Sequence, residues 1–400
     1  MYFAHKWGQH DPRSGLLRKL RITISPFIPI DIELLNQNKR EHRKLSEKAN
    51  PERLYFIDAL RAWAILMMLQ GHFVSSLLTE SYREEGGTAY SLWAYLRGVT
   101  APVFFTVTGF IFTYLLFKKY EKGWSNPRVK KGIKRSGLLI LIGYVLQIRF
   151  GRLLEGSINA NFDIVHVLQC LGLSMLLIIV LYLAAHKFNK YLFQILLGSI
   201  TILLFLSNGT VNQWEYGLLP EWLSNYITRE NGSVFTMVPW FGFATAGACL
   251  SGFFHSHLNK QGFYPKVFLI TLSIGILLIF QSYEFIRDMG NLTDNRFLHS
   301  AIDNSYLFAR LGVVFVIFAI FITLRNILNH KTILYIGQNT LSIYILHAMV
   351  LYGSITGHGL SRYYHHSLSL SHVVLGAIFF LIAICSVVLM ADRKVKQLFS

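Results

Sequence analysis

Apolar residues along the chain gather into blocks of about 17–25, the length that crosses a bilayer as helix. Ten such blocks are read, at about 56–79, 93–117, 136–148, 164–185, 192–207, 236–254, 267–283, 304–324, 332–353 and 373–391. The third and fifth are short or interrupted. Segments this long and uniformly apolar fit helices, which satisfy their own backbone in lipid, better than barrel strands. The predicted fold class is therefore all-α: a polytopic integral membrane protein of about ten transmembrane helices over 56–391. A basic cytoplasmic extension, 1–55, precedes this domain, and a short cytoplasmic tail, 392–400, follows it. The extension has no apolar stretch followed by a small-residue cleavage site, so no cleaved signal peptide is expected.

Composition narrows the class further. Of the 400 residues, 53% are hydrophobic and only 15% charged, against about 25% charged in soluble domains. A soluble multi-domain enzyme is excluded. So is a disulfide scaffold, because Cys170, Cys249 and Cys385 each sit inside an apolar block. A formal charge of +17 would by itself suit nucleic acid, but its distribution points elsewhere. With the N-terminus inside, 28 of the 38 Lys and Arg, including all 18 lysines, fall in cytoplasmic segments. Seven arginines fall in outer loops, and Arg61, Arg97 and Arg310 lie within spans. Such a partition is the positive-inside pattern, and it predicts both termini cytoplasmic, in a bacterial inner membrane. The basic excess then faces anionic lipid and cytosolic phosphates, not nucleic acid.

Ionisable groups inside spans mark the candidate chemistry. The first span, RLYFIDALRAWAILMMLQGHF, carries Asp58, Arg61 and His72. Arg61 to His72 is eleven steps, about 20° past three full turns, so the set shares one helical stripe. Asp58 and Arg61, at i and i+3, can pair; anchoring of the helix end accounts for them equally well. His72 stands about 16 Å further along the axis, deep in the membrane. Its imidazole could remove a proton from a hydroxyl or amine that attacks a carbonyl. Asp163 and His166 open the fourth span at i, i+3, and His347 follows Asn339 and Thr340 in the ninth. Interfacial packing would also explain His166 and His347, and interhelical hydrogen bonding Asn339 and Thr340. The inner loop KKYEKGWSNPRVKKGIKR holds Arg128, Lys130, Lys131, Lys134 and Arg135, either as an orientation signal or as a phosphate site. GxxxxGK[ST], CxxC and HExxH are absent, so neither ATP-driven transport nor common zinc chemistry has support, and no metal is expected.

Several segments in order resemble a known group. RLYFIDALRAWAILMMLQGHF resembles the opening span of the heparan-α-glucosaminide N-acetyltransferase-like membrane acyltransferases and the related acyltransferase family 3. APVFFTVTGF, VLQCLGLS, PWFGFATAGACLSG and IGQNTLSIYILH resemble later elements, so the resemblance runs over roughly 56–391. It implies an acyltransferase that takes acyl-CoA, acetyl-CoA foremost, from the cytoplasm and acylates an outer carbohydrate. Carried onto this chain, His72 is the base or acyl relay, Arg61 with Asp58 holds the donor or the helix, and the basic loop meets the CoA phosphates. Asp163, His166, Asn339 and His347 are left for the acceptor. A homo-oligomer is compatible with this reading. The competing readings are a transporter or channel for a polar solute and a non-catalytic membrane partner.

Overall fold

The computed structural model describes residues 54–84, 87–158, 162–187, 190–214 and 216–398. Of the predicted extension 1–55, all but the last two residues lie outside that set. The described chain is helical, and its extended pairings are isolated bridges. The principal helices are α1 (Tyr55–Leu77), α2 (Gly87–Gly98), α3 (Thr100–Phe117), α4 (Pro127–Val145), α5 (Val167–Ala185) and α6 (Lys190–Leu206). They continue as α7 (Met237–His257), α8 (Phe263–Thr293), α9 (Ser305–Thr323), α10 (Lys331–Gln338), α11 (Thr340–His347) and α12 (Leu370–Leu398).

A helix stands at each of the ten predicted positions, but among the described residues only six spans are both long and apolar enough to cross a membrane: α2 with α3, α5, α7, α8, α9 with its flanking turns, and α12. The α10–α11 pair, bent by 67°, makes a seventh if it is one span. The other three fall short for local reasons. α1 is diluted by Asp58, Arg61, Gln70 and His72, α4 begins with a run of cations, and the apolar part of α6 is too short.

Two boundaries differ from the sequence expectation. The predicted span 136–148 begins instead at Pro127, so Arg128 to Arg135 lie on a helix rather than in a loop. Asn126 starts that helix: its side chain accepts from the Arg128 amide at 2.9 Å, and Pro127 occupies the first turn, where a missing N–H costs nothing. The predicted span 332–353 is broken at Asn339, whose φ and ψ of −101° and 21° leave the helical region. Beyond α11 the chain makes one π-helical turn, Ala348–Tyr352, ended by Gly353 at φ 68°.

Packing follows the small residues. A Cβ at Gly109 or Gly247 would collide with the backbone of Ala244 or Thr106, so these glycines let α3 and α7 meet backbone to backbone. α1 sits at the centre, with Phe56, Ile57, Leu60, Ala64, Ile65 and Leu69 buried against α3, α9, α10 and α12. Leucines, isoleucines and phenylalanines on α6, α8 and α12, such as Ile195, Phe280 and Phe379, are exposed and form the outer girdle of the bundle.

The connecting segments sort into two ends. At one end Leu78 bridges Leu368, and Phe150 donates to the Ile355 carbonyl at 2.8 Å. At the other, Gly123 packs on the His186 ring and the Arg325 guanidinium lies 4.2 Å from the Tyr264 ring centroid. Each contact joins segments expected on the same side of the membrane.

Candidate active site

A cavity of about 920 Å³ opens at the end of the bundle remote from the 118–135 cations. It is reached by the last turns of α1, α2 and α4, the first turns of α3, α5 and α7, and the π-helical turn after α11. Of the predicted site residues, His72, His166 and His347 line it; Asp58, Arg61, Asp163 and Asn339 do not.

His72 and His347 are in contact. Their rings stack with centroids 5.5 Å apart and planes inclined by 22°. Tyr352 stands edge-on to His72, and its hydroxyl lies 2.8 Å from His72 Nδ1. His347 Nδ1 donates to the Tyr344 carbonyl. A carbonyl only accepts, so His347 Nδ1 carries a proton. The π-helical turn makes this possible. It carries Tyr352 back across the end of α1, and the next residue, the left-handed Gly353, turns the chain away.

The predicted stripe on α1 faces one partner throughout. Arg61 Nη2 donates to Thr340 Oγ1 at 2.9 Å and its Nη1 lies 3.9 Å from Asp58 Oδ1. Gly337 rests on the Asp58 backbone, where a Cβ would collide. Asp58 and Arg61 thus hold α1 to the break between α10 and α11, about 16 Å along the helix from His72. Asn339 spends its side-chain N–H on the Tyr335 carbonyl at 3.0 Å, closing the end of α10.

The expected Asp163–His166 pair does not form among the described residues. α5 begins only at Val167, and His166 is extended at φ −105° and ψ −179°, so spacing of three no longer puts the side chains on one face. His166 stands alone at the cavity rim, and the Asp163 carbonyl accepts from Asn225.

Several lining residues had no role assigned from sequence. Arg97 crosses α1 at Gly71, where a Cβ would lie 2.7 Å from its Cγ. Its position inside a span was the signal that could have placed it here. Arg149 and Arg152 line the cavity from the turn after α4, and Gln147 and Gln169 from the ends of α4 and α5. Tyr352 left no sequence signal, because nothing in the composition of 348–352 marks a π-helical turn.

At the opposite end, Lys130, Lys131, Lys134 and Arg135 are exposed on the first turns of α4, with Arg128 half-buried. Burial, then the nearby Arg128 guanidinium, push the Lys118 ammonium below its ordinary range. Cations at a helix N-terminus oppose the helix dipole unless an anion lies between them.

Comparison with known proteins adds an independent observation. A family model described as Heparan-alpha-glucosaminide N-acetyltransferase, catalytic, matches residues 53–281. Two curated relatives named Glucans biosynthesis protein C also match. The one from Escherichia coli (strain SMS-3-5 / SECEC) is 34% identical over 87 residues, 20% of this chain and 22% of that protein. The one from Shigella dysenteriae serotype 1 (strain Sd197) is 31% identical over 86 residues, again 20% of this chain and 22% of the relative. The matches to these relatives thus span less than a quarter of their length.

Proposed function

The chain belongs to the heparan-α-glucosaminide N-acetyltransferase catalytic family, and from that premise we propose that it moves an acyl group, acetyl foremost, from acyl-CoA onto a carbohydrate hydroxyl or amine. The observation that carries the proposal is the stacked His72–His347 pair in the wall of a cavity large enough for a sugar. In this reading the acceptor enters from the cavity end and the CoA phosphates dock on Arg128, Lys130, Lys131, Lys134 and Arg135 at the other. An imidazole of the pair, His72 foremost, takes the proton as the acceptor attacks the thioester carbonyl. The C–S bond breaks, and the thiolate leaves with a proton returned by the same imidazole. Arg61 and Asp58 position α1 against α11. His166 and His347 contact the acceptor, with Asp163 and Asn339 shaping the segments beside them.

The same reading takes α1, α4, α6 and the bent α10–α11 pair as crossings, which makes ten. It places both termini in the cytoplasm of a bacterial inner membrane. Cysteines placed in 80–91 or 284–303 should then react with an impermeant thiol reagent on intact cells, and cysteines in 118–135 should not. Reaction of the 118–135 positions would invert the topology.

The direct test is release of free thiol from acetyl-CoA by the purified chain, with thermal stabilisation by the donor as the binding readout. Absence of both across short acyl-CoAs would end the proposal. A polar-solute transporter is the second reading, favoured by the helix broken at Asn339, since broken spans line transport sites. Solute uptake by vesicles holding the protein, with no thiol release, would establish it instead.

A further inference from the structure

We infer that Tyr352 is a positioning residue for His72: its hydroxyl accepts the Nδ1 proton of that imidazole and so leaves Nε2 as the nitrogen that acts on the acceptor. The role of His72 as base rests on the acyltransferase reading; the hydrogen bond and the tautomer it sets do not. Tyr352 Oη lies 2.8 Å from His72 Nδ1, with the phenol edge-on to the imidazole. Two arrangements fit that distance. If the phenol donated, the His72 proton would sit on Nε2, and the neutral ring would have no lone pair left for an acceptor. If Nδ1 donates, Nε2 is bare and the phenol sends its own proton elsewhere. Ser76 supplies that outlet. It stands one turn beyond His72 on the same face of α1, and it hydrogen-bonds the Tyr352 hydroxyl. The order is then Nδ1–H to Oη, and Oη–H to Ser76 Oγ. When the acceptor gives up its proton, Nε2 takes it, the Nδ1–H bond to Oη is kept, and the phenol faces a ring that has become cationic. The starting tautomer returns when Nε2 passes that proton to the departing thiolate. Hydrogen bonds to a charged partner are stronger than neutral ones, so Tyr352 favours the protonated ring formed during transfer.

The backbone that carries Tyr352 is a second, independent observation. Tyr352 ends the π-helical turn Ala348–Tyr352, a rare element that occurs mostly as single turns at functional sites. The chain after it is locked to it. The Ser354 N–H bonds back to the Ala348 carbonyl at 3.2 Å, and the Gly357 N–H to the Gly353 carbonyl at 2.7 Å. Gly353, at φ 68°, and Gly359 lie so close that a Cβ on Gly359 would sit 2.2 Å from the Gly353 nitrogen. Between them Ile355 holds φ 75°, a left-handed conformation that is an outlier for a β-branched residue. Its carbonyl accepts from the Phe150 amide at 2.8 Å. Backbone strain of this kind persists only where the surroundings over-determine it, and it clusters at functional sites. Here it lies three residues from Tyr352, in the loop that fixes where the phenol meets α1.

The first measurement needs no turnover. The full-length chain, with isotope-labelled histidine and in lipid nanodiscs at mildly alkaline pH, is studied by solid-state nitrogen NMR. The His72 signals are those lost in His72→Asn. In the wild type His72 should be protonated at Nδ1 and bare at Nε2. Tyr352→Phe keeps the ring and drops one oxygen, and it should release His72 to a mixture of both tautomers. Tyr363→Phe is the control. Tyr363 Oη lies at the same 2.8 Å from His358 Nδ1, but neither residue lines the cavity, so His72 and turnover should be unaffected. The second measurement is thiol release from acetyl-CoA with a working acceptor. Tyr352→Phe should lower kcat about 10–100-fold, the worth of a hydrogen bond to a group that becomes charged, and leave the KM of both substrates within about twofold. Ser76→Ala removes the outlet for the phenol proton and should move tautomer and rate the same way by less. His72 bare at Nδ1 in the wild type, or a tautomer untouched by Tyr352→Phe, overturns the inference. A raised acceptor KM at unchanged kcat overturns it too, since Tyr352 would then be an acceptor contact. Thiol release absent from the wild type as well ends the acyltransferase reading and leaves the tautomer result to decide the inference alone.

Discussion

Removing His72 and His347 singly and together tests whether the stacked pair works as one unit. Loss of a general base costs 10²–10⁴ in rate by order of magnitude, roughly 2.7–5.4 kcal/mol of barrier. Loss of the stack alone, at 5.5 Å between ring centroids, is worth about 0.5–1.5 kcal/mol, a factor of roughly 2–13. His72→Ala removes the base, the stack and the hydrogen bond to Tyr352, and should lower kcat about 10²–10⁴-fold. His347→Ala leaves His72 its Tyr352 partner but removes the ring that holds it in plane. It should cost about the stacking factor in kcat, with the acceptor KM raised besides. Because groups acting as a unit are non-additive, the double variant should be no slower than His72→Ala within about threefold.

The assay is single-turnover release of thiol from acetyl-CoA in the presence of a working acceptor, with donor binding measured separately by thermal shift. His72→Ala should bind donor as the wild type does. Two results refute the reasoning. If His72→Ala keeps more than about a tenth of the wild-type rate, His72 is structural. If the double variant loses the product of the single losses, the two rings act independently and the contact between them carries no chemistry.

Three further outcomes follow from the geometry. Replacing Lys130, Lys131, Lys134 and Arg135 by Gln should raise the donor KM and leave the acceptor KM alone; an inverted topology with unchanged KM would make those cations an orientation signal only. Gly71→Ala puts a methyl 2.7 Å from Arg97 Cγ and should raise the acceptor KM by shifting that arginine in the cavity wall; an unchanged KM would show that the arginine does not need that passage. Thr340→Val strips the hydroxyl that accepts from Arg61 at 2.9 Å and should cost about 1.5–3 kcal/mol in stability, as for hydrogen bonds to charged groups; unchanged thermal stability would mean that α1 is held to α11 by packing alone.

The sequence was most legible where one strong signal acts alone. Twenty apolar residues in a row become helix whatever surrounds them, so α3, α5, α7, α9 and α12 stand where the blocks fell. Legibility failed where a weak local signal opposed a strong one. Asn126–Pro127 is a good helix start, yet the cations after it read as loop. Asn339 and Thr340 read as buried polar residues in need of partners, and the break that their backbone makes carries no further sign. His72 and His347 were each visible as ionisable groups within spans. Their contact was not, because it joins segments 275 positions apart (72 and 347) through a π-helical turn set by packing.

The difference between six apolar spans and ten helical positions has the same physical root. A helix facing lipid must be apolar all round, and α12, with most of its surface at the girdle, is the most apolar of the six spans found among the described residues. A helix enclosed by other helices is under no such demand, since its polar groups can find partners in the protein. α1 is such a helix, flanked by α3, α9, α10 and α12. Enclosure is what allows it to carry Asp58, Arg61, Gln70 and His72, and those same residues lower its apolarity below that of a lipid-facing span. The α10–α11 pair, packed against α1, keeps its break for the same reason: the backbone groups freed at Asn339 lie within the protein. α1, α4 and α11, which hydropathy alone counts last, thus reach the cavity beside the apolar spans α3, α5 and α7.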